Sequence, residues 1–204
     1  MKQIKEYEYV DLGLPSGLKW AKSNVGADKE TDYGSYFQWG DIENKSNTDC
    51  SWASYKYGDD LNLSKYNTGN NGYKGMIDNK ITLDLEDDAA RANMGGNWRM
   101  PTDAEIQELV NNTYNEWIEN FNGSGVNGRK FTSKTDESKY IFIPASGYRL
   151  GSSFRGQCRG GDVWSSSLNT VLPGGALEFG FSSGTIYMGD SGRYYGLVVR
   201  GVMD

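Results

Sequence analysis

Residues 84–112 read DLEDDAARANMGGNWRMPTDAEIQELVNN, and this stretch decides the fold class. Residues 84–94 open with a cluster of acids, which the helix macrodipole favours in a first turn, and Gly95-Gly96 ends the segment. Thr102 and Glu105 then have capping-box spacing, with Ile106, Leu109 and Val110 on one face, which predicts a second helix over 103–112. Outward from these helices the pattern changes to strands. Towards the amino terminus, residues 6–11 (EYEYVD) alternate, 14–17 (LPSG) form a turn, and 18–20 and 33–40 (YGSYFQWG) are strand candidates. Between them and the helices, residues 41–79 are rich in Asn, Ser, Tyr and Gly and read as long surface loops, a layer that is often functional. Past the helices, 114–121 reads either as a continuation or as a strand, and the hairpin signal Asn127-Gly128 favours strands on both sides of it. Further strands are expected at 140–144, 162–165, 176–181, 185–188 and 197–202. Two helices set between runs of strands predict an α+β domain with an antiparallel sheet.

The 204 residues suit a single domain able to bury a substantial core without staples. Aromatic residues are plentiful (14 Tyr, 7 Phe and 6 Trp), which argues against disorder. Residues 1–10 lack the apolar run of a signal peptide, and no stretch approaches the ~18 apolar residues of a membrane span. A soluble, non-exported chain without membrane insertion is therefore expected. The net charge of −6 speaks against a nucleic-acid partner. The absence of histidine removes the commonest general base and zinc ligand.

Charge is unevenly placed. Every lysine lies at or before Lys139, and residues 1–144 carry 16 basic and 23 acidic side chains. Residues 145–204 carry five arginines, four acids, 13 glycines and nine serines, with tyrosines scattered among them. Gly, Ser and Tyr together favour adaptable recognition surfaces, and they equally suit a Gly-rich sheet with tight turns.

Catalytic signals are weak. The acids Asp84, Glu86, Asp87 and Asp88 offer oxygen ligands for calcium but lack the loop pattern of a calcium hand, and helix-start acids explain them without a metal. Asp41 and Glu43 form a carboxylate pair without a defined separation. Cys158, near Arg155 and Arg159, has no histidine to activate it. Cys50 and Cys158 read as two free thiols, with one disulfide as the alternative. Ser165-Ser166-Ser167 matches no nucleophile elbow. The sequons at Asn44, Asn62, Asn111 and Asn122 are expected by chance in so Asn- and Ser-rich a chain. No cofactor motif occurs, and a non-catalytic binding domain is expected.

Several blocks resemble the Fibrobacter succinogenes major paralogous domain family. They are YVDLGLPSGLKWA (9–21), NVGA (24–27), YGSYFQWG (33–40), GNWRMPT (96–102), PASGYR (144–149), WSSS (164–167) and RYYGLVVR (193–200). The resemblance implies a C-type-lectin-like fold over residues 1–204, common in gut Bacteroidales and their phages, with 1–144 as scaffold and 145–204 as a ligand-binding portion. Within the family this last portion looks like the variable region of target proteins of diversity-generating retroelements. Their adenine-directed errors turn AAC codons into Gly, Ser, Tyr, Asp, Arg, Leu, Val, Cys or Phe, never into Lys, Gln, Glu, Met or Trp.

Positions reachable in this way stand between the blocks: Leu150, Arg155, Gly156, Cys158, Arg159, Asp162, Val171, Leu172, Gly174, Gly175, Leu177, Tyr187, Gly189, Asp190 and Ser191. These are expected to face outward, while Gln157, Trp164, Glu178 and Met188 are expected to be framework. Tyr187, Tyr194, Tyr195, Arg155, Arg159 and Asp162 are the strongest contact candidates, because aromatics and arginine dominate hot spots. Tyr194 and Tyr195 read equally well as core. The implied partner is a protein or glycan on a cell surface, with an oligomer, a phage particle or a cell-surface assembly as compatible settings. The family often has Cys where Ser23 stands, and the EPN, QPD and WND motifs of calcium-dependent lectins are missing. The related formylglycine-generating oxidases use a cysteine pair near the carboxy terminus, where this chain has Cys158 alone. An oxidase of that type and a structural particle component are the alternative readings.

Overall fold

In the computed structural model, which describes residues 6–204, the first elements are strands β1 (Tyr9–Asp11) and β2 (Lys19–Ala21). A turn links them, closed by Gly17 N–H donating to the Leu14 carbonyl at 2.9 Å. The part of the amino-terminal reading that covers residues 1–5 lies outside the described residues. Of the aromatic stretch 33–40, two residues pair, as β3 (Tyr36–Phe37). Gly34 and Gly40 have φ near +80°, a left-handed backbone that breaks an extended run on both sides. The polar layer that follows holds short 3-10 turns and the two-residue strands β4 (Asn62–Leu63) and β5 (Lys74–Gly75).

Helix α1 is Ala89–Met94, shorter than the sequence predicts, because residues 85–87 form a separate 3-10 turn. The acids therefore do not occupy its first turn. Asp88 instead caps it, accepting from Arg91 N–H at 2.9 Å, and Gly95 ends it at φ 73°. Helix α2 spans Asp103–Asn112, as predicted. The Thr102 hydroxyl accepts from Glu105 N–H at 3.3 Å, and the Glu105 carboxylate accepts from Thr102 N–H at 2.7 Å. Such a cap contributes about 1 kcal/mol.

Residue 113 begins β6 (Thr113–Ile118), which pairs with β7 (Gly128–Ser133), itself paired with β8 (Tyr140–Pro144). Asn127-Gly128 is not the hairpin turn: Gly128 already faces Ile118 in the ladder, so the connection runs over 119–127. The remaining strands are β9 (Tyr148–Leu150), β10 (Ser153–Arg155), β11 (Gly160–Leu168), β12 (Gly175–Ser182), β13 (Ile186–Gly192), β14 (Leu197–Val198) and β15 (Val202–Met203). The expected single strand over 197–202 is thus two, and they belong to different sheets.

The architecture is α+β with mostly antiparallel sheets. A five-stranded sheet in the order β13-β12-β11-β14-β3 lies at the centre, with β11 and β14 parallel. β15 joins the amino-terminal pair as the third strand of β1-β2-β15, so the two ends of the described chain meet. Two apolar clusters pack on opposite faces of the central sheet, as strand alternation requires. One gathers Trp39, Tyr66, Met100, Trp164, Leu168 and Ala176; the other gathers Ile106, Leu109, Phe131, Val163, Phe179 and Phe181. The second cluster lies against α2 and the β6-β7-β8 sheet. No described helix is long and apolar enough to cross a membrane.

Candidate functional site

The register of β11, β12 and β13 places the site. Asp162 faces Gly180, which faces Tyr187, and Trp164 faces Glu178, which faces Gly189. Directly opposed residues share a face, so Asp162, Glu178, Tyr187 and, opposite Ala176, Ser191 all project to the side of Trp164. Trp164 and Ala176 close one end of this face with core. The end at Asp162 and Tyr187 reaches solvent, and Tyr187 is 49% exposed.

Glycines shape the opening. A Cβ on Gly180 would lie 2.1 Å from Tyr187 Cζ, so the tyrosine ring occupies the space that a side chain on β12 would fill. The Tyr187 hydroxyl donates to Asp162 Oδ1 at 3.3 Å. Alongside runs an aromatic band. Trp52 and Tyr194 have centroids 4.8 Å apart, Tyr194 and Tyr195 also 4.8 Å, and Tyr195 stacks on Tyr148 at 5.6 Å. Tyr194 and Tyr195 are half-buried and pack against the core.

Burial pushes the Asp162 carboxyl up to about 6, against a smaller downward pull from the Tyr187 hydrogen bond. Glu178 is raised further, to about 8: burial contributes most, and the neighbouring charge of Asp162 adds to it. Ser191 is the hydroxyl beside Glu178, and Oε2 of Glu178 has no hydrogen-bond partner.

The other expected contact residues fall into separate groups. Leu150 and Arg155 sit on the β9–β10 hairpin, and Cys158 and Arg159 lie in the turn after it. That turn is pinned by Cys158 N–H donating to the Ala145 carbonyl at 2.9 Å, and the Cys158 thiol lies 3.1 Å from the Tyr33 hydroxyl. Cys158 is exposed and Cys50 buried, and both are free thiols. Val171 and Leu172 are exposed at the β11–β12 loop, where the Asn169 side chain accepts from both of their N–H groups at 3.0 Å.

Leu177 and Asp190 face each other one residue out of phase with Glu178 and Gly189, so they project to the other side of the sheet, where Asp190 is exposed and Leu177 half-buried. One expectation needs correction. Gly174 and Gly175 are buried rather than outward; a Cβ on Gly174 would fall 2.2 Å from the Tyr73 hydroxyl. Among the expected framework residues, Trp164 is buried and donates to the Phe37 carbonyl at 2.8 Å, Gln157 donates to the Tyr36 hydroxyl at 3.1 Å, and Met188 packs against the core. Glu178 is buried as well, on the side of the sheet that carries Asp162 and Tyr187. Sequence reasoning also missed Trp52 and Tyr148, whose part in the band depends on packing between distant segments.

The acidic cluster is organised around a cation of the chain itself. Lys65 Nζ lies 2.7 Å from Asp84, 3.0 Å from Glu86 and 2.6 Å from Asp87. Burial alone would raise the Asp87 carboxyl, but donors from Lys65, Tyr57, Tyr66 and Lys56 outweigh it and hold it well below the usual carboxylate range. Lys65→Met is expected to destabilise the protein by about 2–4 kcal/mol in urea unfolding, because it strips a buried carboxylate of its main partner while Lys56 stays. No family model matches the chain, no curated protein matches it, and no solved structure matches it.

Proposed function

We propose that this protein is a ligand-binding protein of C-type-lectin-like architecture. Its carboxy-terminal portion would contact a protein or glycan on a cell surface. The observation that carries this reading is the face of the central sheet that holds Asp162, Glu178, Tyr187 and Ser191 and reaches solvent at Asp162 and Tyr187, beside the Trp52–Tyr194–Tyr195–Tyr148 band. Rigid strands carry these groups; Arg155 and Arg159 are exposed at and just after the β9–β10 hairpin, and Val171 and Leu172 are exposed in the β11–β12 loop, at the far end of β11 from Asp162. A fixed scaffold with variable loops is how binding surfaces are commonly built. Under the same reading, the positions reachable from AAC codons are diversified by a retroelement. A near-copy of the final coding segment beside the gene, differing only at adenines, is what that part requires.

The test is a panel of glycans and purified surface proteins. Tyr187→Ala and Tyr195→Ala are expected to weaken any specific binder at least tenfold, the scale of hot-spot losses. Tyr114→Ala, on an exposed side chain of β6 in another sheet, serves as control. Equal losses in the control, or none in the two face variants, would sink the reading.

A further inference from the structure

The buried acids among the described residues are Asp41, Asp87, Asp88 and Glu178. Three of them are matched. Asp41 pairs with Lys45 at 2.9 Å, Asp87 with Lys56 at 2.9 Å and Lys65 at 2.6 Å, and Asp88 accepts from the N–H groups of Arg91 and Met100. Glu178 is 4% exposed, Oε2 is unpartnered, and the charged groups acting on it are the acids Asp162 and Asp190. A buried carboxylate without a cation is costly, and the fold tolerates one here on a face that opens to solvent.

We infer that the Asp162–Glu178 step of this sheet seats a basic side chain of a protein ligand, an arginine guanidinium or a lysine ammonium. The inference rests on the ligand-binding reading of the same face. Two carboxylates on neighbouring strands present oxygens to a forked guanidinium, and an adjacent tyrosine supplies a π face for the cation. Tyr187 forms the cover: its ring edge and Glu178 Oε1 flank the same point above Gly189, at 3.0 and 3.9 Å from where a Cβ would stand. The ring lies on glycines at the edge strand, so turning it outward uncovers the acid without moving backbone.

Seating a cation replaces the proton that Glu178 holds near neutrality. The groups facing it are Asp162 on β11 and Ser191 and Tyr187 on β13, while Asp190, on the other side of the sheet, adds its charge from there. Binding therefore releases a proton and tightens as pH rises, whereas a neutral sugar has no such demand.

The experiment uses the whole protein carrying 13C-carboxyl glutamate at low ionic strength. It is titrated with N-acetylarginine amide and with its uncharged isostere N-acetylcitrulline amide. Saturating arginine probe is expected to lower the Glu178 midpoint by at least one pH unit, equivalent to at least tenfold tighter binding to the ionised form. The citrulline probe is expected to leave the midpoint in place. Glu178→Gln, which keeps the shape, is expected to lose the pH dependence of arginine binding and at least fivefold in affinity.

Equal responses to the two probes, or unchanged arginine binding by Glu178→Gln, overturn the inference. So does a cell-surface binder that depends on Tyr187 but ignores both pH and Glu178→Gln, and in that case the broader ligand-binding reading survives. The converse result, arginine seated at Glu178 while every surface binder ignores Tyr187→Ala, keeps the cation seat and removes the broader reading.

Discussion

Arg193→Ala is expected to remove on the order of 4–6 kcal/mol of stability, much of what a domain this size usually has. Arg193 is fully buried and meets no carboxylate. Its Nε donates to the Tyr55 hydroxyl at 2.7 Å, Nη1 to the carbonyls of Tyr66 at 3.1 Å and Pro173 at 3.0 Å, and Nη2 to Lys65 O at 3.0 Å. The guanidinium also lies 5.1 Å from the Trp39 ring centroid, 5.2 Å from Tyr55 and 5.9 Å from Tyr66. Truncation leaves several buried acceptors without donors, each costing about 1–3 kcal/mol, and opens a cavity among three rings. Because Lys65 and Tyr66 belong to the polar loop layer, that layer is expected to come loose first. Urea unfolding reads the total, and amide exchange at residues 55–67 reads the local part. Arg193→Lys is expected to recover less than half of the loss, since an ammonium cannot reproduce the fork. A variant within 1 kcal/mol of wild type would contradict this account of how the layer is held.

The second large effect is pH-dependent. The Glu178 carboxyl is raised from 4.5 to about 8 in the folded protein. The folded state therefore holds a proton that the unfolded chain has already released, and stability declines as pH rises between those values. The contribution is fully present below about pH 4.5 and is lost once pH has passed 8. Across that window the loss amounts to roughly 3–5 kcal/mol. Glu178→Gln stays neutral throughout. It is expected to match wild type near pH 5 and to be about 2–4 kcal/mol more stable near pH 9. Asp162, raised from 3.8 to about 6, adds a smaller decline of the same sign over its own lower window. Urea unfolding of both proteins at pH 5, 7 and 9 checks this, and parallel curves would show that Glu178 is not a strained acid. The excess stability of the glutamine variant measures what the fold gives up to keep a carboxylate on this face, as binding sites often do.

The sequence by itself determined what rests on near neighbours along the chain. Thr102 and Glu105 lie three residues apart, so the start of α2 was legible from spacing, and the aromatic and β-branched run YIFIP at 140–144 marked β8 without reference to a partner. Residues 33–40 misled because their aromatics resemble a strand, while their pairing was decided by two left-handed glycines and by the partner β14. The candidate site was legible from composition only as a region, 145–204, while Asp162, Tyr187 and the turn positions within it came from what the family resemblance implies.

Which side chains share a face was decided only in the folded sheet. Strand side chains alternate with a period of two, so the pairing of β12 with β13 sets Glu178 beside Tyr187 and turns Leu177 and Asp190 away. A shift of one residue would reverse every one of those assignments, and although Leu177, Phe179 and Phe181 mark one face of β12, that strand alone does not say which residue of β13 stands opposite each. Trp52 reaches Tyr194, and Arg193 reaches Lys65, across more than a hundred residues. Their energy comes from burial and from hydrogen bonds that exist once distant segments have met, so the tertiary structure alone could place them.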